Sequence, residues 1–275
     1  MEYKKGHKIK PKETSPTGRV IFTDGTNDVS PNQISCEAYG YKWNKGNNTC
    51  SAFPSSFKIS KLFKNTTNTN IGNNKVEGST ENTFISGQKN TTKGNNRNII
   101  ISGENHQVEN NIKNASVLGG TYGKVIRQSE VVIGGGEALG RNQTSIVQFA
   151  GSTTNNTATD LTIQGDTSSY LAVQNNSILG FEVKVIGLCS GGSSGTAGDY
   201  KYIEIKGAVQ VDNGYNLTWS QSSTTIASVG TTGTAQMAAV TDPNITVEVT
   251  GTSNVNIQWF ASVQLTEKKL STDTF

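Results

Sequence analysis

The sequence predicts an all-β chain in three parts that associates with further copies. These are an N-terminal segment over 1–64, a short parallel β-roll or β-helix stub over 65–140, and an antiparallel, jelly-roll-like β-sandwich tip over 141–275. Three observations carry this expectation: a template that returns every 16 residues in the middle of the chain, apolar–polar alternation in the last third, and a strongly polar composition. Only 33% of the 275 residues are hydrophobic, while Asn 29, Thr 34, Ser 27 and Gly 30 dominate. Such a balance does not suit a compact enzyme with one large core.

The first part opens with a Lys-rich arm to Pro16, expected to be mobile, followed by Val20-Ile21-Phe22 and the aromatics Tyr39, Tyr41 and Trp43. Up to Lys64 there are 11 basic and 5 acidic side chains, a balance of +6 against a net +3 for the whole chain, so the rest is mildly acidic. Cys36 and Cys50 bracket the aromatic cluster. They read as buried reduced thiols, with a disulfide as the alternative.

The second part carries the repeat. Asn, two variable positions, a β-branched residue, a spacer and Gly recur as Asn82-Ile85-Gly87, Asn98-Ile101-Gly103 and Asn114-Val117-Gly119, then as Glu130-Ile133-Gly135 and Ile146-Phe149-Gly151. The predicted core positions are therefore Ile85, Ile101, Val117, Ile133 and Phe149, and the predicted turn glycines Gly87, Gly103, Gly119, Gly135 and Gly151. A unit of 16 is too short for a helical hairpin repeat, and Ile99-Ile100-Ile101 and Val131-Val132-Ile133 are β-formers, so each unit reads as one coil. Two or three buried side chains per coil fall short of the ordering entropy, which predicts association of several chains.

In the third part, Phe181, Val183 and Val185 alternate with Glu182 and Lys184, and Ile245, Val247 and Val249 with Thr246 and Glu248. Val255, Ile257, Trp259, Ala261, Val263 and Leu265 continue the same parity. With candidates at 161–163, 202–211, 217–219 and 236–240, this predicts eight or nine half-buried strands. Phe260 faces away from the core set, either between subunits or toward a ligand.

Few residues suggest chemistry. Two histidines and three cysteines leave little for a zinc or haem site, and no catalytic, cofactor or metal residue is expected. Gly134-Gly135-Gly136 lacks dinucleotide spacing and reads as a turn, as does Asp24-Gly25-Thr26-Asn27-Asp28. Glu77, Glu81, Glu104, Glu109, Glu130 and Glu137 fall out of frame with the period and read as a solvated face, and His106 as a surface residue. The Lys arm has no stacking aromatics, so an acidic protein surface is expected as its partner and nucleic acid is not. No run approaches the ~20 apolar residues of a membrane span, and the ending Thr272-Asp273-Thr274-Phe275 follows a segment too charged for a lipid-facing strand. The N-terminus lacks a signal-peptide core, so Asn-x-Ser/Thr triplets at Asn65, Asn90, Asn114, Asn216 and Asn244 are expected to be silent.

The coils, the junction Gly140-Arg141-Asn142-Gln143-Thr144 and the ending Ile245 to Gly251 with Ile257-Gln258-Trp259-Phe260-Ala261 resemble bacteriophage fibre proteins over about 80–266. The coils Asn114 to Gly120 and Val131 to Gly136 also look like head coils of trimeric autotransporter adhesins. The phage resemblance implies a homotrimer in the virion, assembled in the bacterial cytoplasm and anchored through 1–64 to a capsid or other virion protein. It also implies a tip that engages host-surface glycans, with the ligand-binding residues unknown. Five coils at ~4.8 Å advance only about 25 Å, so the chain looks more like a head (capsid) fibre than a long tail fibre. The Cys36–Cys50 cluster is similar to N-terminal parts of fibres from crAss-like gut phages. A tail fibre or receptor-binding protein is the alternative, and a polysaccharide depolymerase a further one.

Overall fold

The computed structural model describes residues 2–15, 18–52, 68–230, 233–241 and 243–270. The expected boundary at 64/65, the triplet at Asn65 and the final Thr272 to Phe275 lie outside the described residues. The chain forms two compact units, Met1–Thr66 and Thr67–Phe275.

In the first unit, β1 (Lys10–Thr14), β2 (Val20–Thr23) and β3 (Asp28–Val29) form an antiparallel sheet. The second half of the Lys-rich arm is thus a paired strand rather than a loose tail. Between β2 and β3 the Asp24 carboxylate accepts from the Thr26 and Asn27 amides, both at 2.8 Å, which closes a turn. Helix α1 (Gln33–Ala38) starts where the Asn32 side chain accepts from the Ser35 amide, and a hairpin of β4 (Lys42–Asn44) and β5 (Thr49–Ser51) follows. Cys36 and Cys50 are disulfide-bonded with Cα atoms 5.6 Å apart, which corrects the reduced-thiol expectation. Their sulfurs sit in a core with Val20 and Phe22, and Tyr39 and Tyr41 pack edge-on against Phe22. Among the described residues four are fully buried in this core, and a cross-link removes unfolded-state entropy that so small a core offsets poorly.

The second unit begins as a solenoid of about four turns. Its strands are β6 (Thr69–Ile71), β7 (Lys75–Val76), β8 (Glu81–Gln88), β9 (Thr91–Thr92), β10 (Arg97–Glu104), β11 (Gln107–Val108), β12 (Ser116–Val117), β13 (Lys124–Val125) and β14 (Val131–Gly134). The even-numbered strands stack as one parallel sheet and the odd-numbered as another. Between them lies a thin core of Ile85, Ile99, Ile101, Val108, Ile112, Ala115, Val117, Val125 and Val132.

Side-chain ladders continue the stacking inside and outside the coils. The backbone amide of the buried Asn90 donates to Asn74 Oδ1, and Asn90 Oδ1 accepts from the His106 amide. Asn96 likewise accepts from the Ile112 amide. Outside, Asn82, Asn98 and Asn114 hydrogen-bond one to the next, at φ between 51° and 58°. Asn tolerates that left-handed conformation, which explains why it heads the repeat template.

At β14 the sheet changes character without a break. β15 (Asn142–Thr153) pairs antiparallel with β14 and starts a two-sheet body. The other strands of that body are β16 (Ala158–Asp160), β17 (Thr162–Ile163), β18 (Leu171–Ala172), β19 (Ser177–Gly191), β20 (Tyr200–Val211), β21 (Leu217–Val229), β22 (Thr234–Ala239), β23 (Asn244–Thr250) and β24 (Asn256–Lys269). The long sheet runs β21-β20-β19-β24-β15-β14 and on through the solenoid, while β16, β23, β18 and β22 form the second layer. One continuous apolar core, from Val147 and Phe149 to Leu265, draws on both layers. The alternating residues predicted as core in β19, β23 and β24 are buried, although Thr246, expected outside, is buried too and donates to the Leu161 carbonyl.

Candidate functional site

Ile85, Ile101 and Val117 are stacked in register and fully buried, at steps of 16. The next step is different. Val117 pairs with Val132, one residue short of the expected frame, so Ile133 points outward and is 49% exposed. Phe149 is buried, but in the two-sheet core beside Ile163 and Ala261 rather than in a fifth coil, because Ile146, Phe149 and Gly151 lie on the antiparallel β15. The sequence frame ran past the end of the solenoid because β15 keeps the apolar parity of the coils.

The glycines divide in the same way. A Cβ on Gly87 would lie 1.9 Å from the Gly103 carbonyl oxygen, and one on Gly103 would meet the His106 ring at 2.4 Å. In the following coil Gly120, not Gly119, holds the stacked position, with its Cβ site 2.0 Å from the Gly134 oxygen. A Cβ at Gly119 meets nothing. Gly135 hydrogen-bonds the Asn142 carbonyl in the turn into β15, and Gly151 faces Leu161.

His106 is buried, not on the surface. It occupies the ladder position held by Asn74 and Asn90, accepts from the Gly123 amide on Nδ1 at 2.8 Å, and leaves Nε2 without a hydrogen bond of acceptable geometry. Burial lowers its pKa below the usual histidine value, with the Gly120, Ser102 and Gly123 backbone opposing. A folded-state pKa below the unfolded one means that stability is complete above about pH 6.5 and declines as pH falls from there toward the folded-state pKa. His106→Asn restores the ladder chemistry of the preceding coils, so between pH 7 and 5 its melting temperature should fall less than that of the parent chain.

Glu130 also departs from the expected solvated face. It is completely buried with Arg127 and Glu267 where the last coil meets the two-sheet body. Arg127 binds Glu267 through two nitrogens at 2.7 and 2.9 Å, Glu130 at 2.6 Å and the Ala172 carbonyl at 2.7 Å. Ser145 and Gln143 donate to Glu267, and the Ile126 and Arg127 amides donate to Glu130. Burial alone would raise the Glu267 pKa, but the Arg127 charge outweighs it and holds the carboxylate below its usual range. For Glu130 burial wins, and the Glu267 charge adds to it, so its pKa is raised. Glu267 could have been read from sequence, since it is the next core-parity position after Leu265. The other repeat-region carboxylates are spent on partly exposed ion pairs, such as Glu81–Arg97, Glu109–Lys93 and Glu137–Lys268. Hydrogen bonding from Lys268 and Asn142 brings the Glu137 pKa down to about 2.

Among the described residues, the outer face of the long sheet leaves several large apolar side chains exposed. Phe84 and Ile100 are in register on β8 and β10, Leu118 follows β12, and Ile133 and Ile146 lie on β14 and β15, all 38% to 60% exposed. On the two-sheet body the cross-strand row Ala150, Phe260, Ile186 and Tyr202 adds a second apolar area on that face, with Leu188 and Tyr200 in the adjacent row. Exposed apolar side chains in such number on one sheet face mark an interaction site. The signal was visible as runs of consecutive apolar residues, which in a strand must serve both faces.

Among the described residues no group of three or more His, Cys, Asp or Glu could hold a metal ion, and no helix is long and apolar enough to cross a membrane. No family model matches the chain, and no curated protein matches it. Among solved structures, the crystal structure of Acinetobacter baumannii phage AM24 tailspike protein matches 74% of this chain and 55% of that one, at 7% identity and a TM-score of 0.27. The chain thus spans about half the length of that tailspike. A match at that level assigns no activity to this chain.

Proposed function

We propose that this chain is a non-enzymatic structural protein of a phage virion, a homotrimeric head (capsid) fibre anchored through residues 1–64 and presenting the two-sheet body for adhesion to a host-surface glycan. The observation that supports association of copies is the set of outward apolar side chains Phe84, Ile100, Leu118, Ile133 and Ile146 on one sheet face. A solenoid whose buried core is one or two side chains wide per strand gains the burial it lacks when copies of that face close on one another. The short solenoid favours a head fibre over a long tail fibre. About four turns at ~4.8 Å rise only ~20 Å.

Light scattering should return three chain masses for the parent protein. Ile100→Lys with Leu118→Lys should return one, with the strand signature in circular dichroism retained. A monomeric parent at micromolar concentration overturns the trimer. Deleting residues 1–64 should leave an assembled fibre that no longer decorates the particle, and decoration by the truncated chain would remove the anchor from the proposal. Release of reducing ends from host capsule by the purified protein would replace the adhesive reading with a depolymerase.

A further inference from the structure

We propose that the two-sheet body binds uncharged saccharide in the cleft between β21 and β22, a site that rests on the adhesive reading above. The cleft lies where the edge strands of the two layers part, and its volume is about 480 Å³. That is within the roughly 300–1,000 Å³ of small-ligand sites.

The first ground is a polar run on the cleft wall. On β21, Trp219 pairs with the buried Val209 and packs on Phe181, and Gln221, Ser223 and Thr225 follow at the same parity, exposed and lining the cleft. Two of the three polar side chains replace a missing strand partner: Gln221 bonds both the amide and the carbonyl of Met237, at 2.9 and 2.8 Å, and Ser223 donates to the Ala235 carbonyl at 2.9 Å. Thr225 has no such duty. Its hydroxyl is exposed on the cleft wall.

The second ground is the bulge next to it. Tyr202 pairs with Ala227 and Ile203 with Thr225, so Ile226 is the extra residue and β21 bends at the cleft. The third is the lining chemistry. Among the described residues, no hydrogen bond ties the hydroxyls of Thr225, Thr234 and Thr250, which line the cleft with the Gln236–Glu248 pair. Hydroxyl donors and acceptors, an amide and a carboxylate match the hydroxyls of a sugar. Lys201 stands at the margin with its ammonium on the Gly233 carbonyl, and among the described residues no cationic side chain lines the cleft itself. Glu248 therefore repels acidic sugars and leaves uncharged ones as the ligand class.

Retention of the full-length chain on uncharged glycans (lactose, triacetylchitotriose, mannotriose) and acidic ones (sialyllactose, trigalacturonate) tests this. The parent should be retained on an uncharged glycan, and the combined variant T225V, T234V and T250V should lose about tenfold in affinity at unchanged melting temperature. Glu248→Gln should admit the acidic counterparts. Equal retention of parent and threonine variant overturns the cleft and leaves the adhesive reading standing, as does retention on acidic glycans alone. Retention on no glycan overturns both.

Discussion

Arg127→Met is expected to destabilise the second unit by about 3–5 kcal/mol, because it leaves two carboxylates with no counter-ion in a fully buried site. The magnitude follows from what the guanidinium does. It is the cation for both Glu130 and Glu267, and it donates to the Ala172 carbonyl of the second layer. Burial would lower its pKa, and the two carboxylates, Glu267 first, raise it instead. Chemical denaturation of the variant should show the loss. The same experiment on a triple replacement of Arg127, Glu130 and Glu267 by Met, Leu and Leu should recover most of it, since apolar residues of similar volume remove the desolvation cost together with the charges. A single variant as stable as the parent would show that water reaches the cluster.

The second large effect separates two glycines that the repeat treats as equivalent. Gly87→Ala should cost upwards of about 3 kcal/mol, because its methyl would lie 1.9 Å from the Gly103 carbonyl oxygen, a backbone atom fixed by the parallel pairing of β8 with β10. Neither strand can move without opening the stack. Gly119→Ala, at the same place in the template, should cost only about 1 kcal/mol, the strain of its φ of 150°, since its methyl meets nothing. Thermal unfolding of the two single variants measures the contrast, and equal losses would contradict the shift of the stacked position to Gly120.

That contrast shows how far the repeat could be read along the chain. Ile85, Ile101 and Val117 were legible because a strand core needs apolar side chains at one interval, and Asn82, Asn98 and Asn114 because a left-handed corner favours Asn. The step from Val117 to Val132 was not legible. Val131, Val132 and Ile133 are all β-formers, and only the pairing of β12 with β14 decides which of the three turns inward. His106 could not be placed either. A polar coil segment says nothing about whether a side chain joins an internal ladder, and the ladder exists only once Asn74 and Asn90 lie above it.

The candidate binding cleft had a partial signal, the polar run Gln221, Ser223 and Thr225 at one parity, but a parity has no meaning until the facing layer is known. By itself the sequence determined the all-β class, the coil interval and the core faces of β19, β23 and β24, because each depends on periodicity along one strand. The tertiary structure decided where the coils end, which carboxylates are buried, which cysteines pair and which apolar face is left outward. Those depend on partners distant in sequence, such as Glu267 with Arg127, and register between strands is set by the whole stack rather than by any one coil.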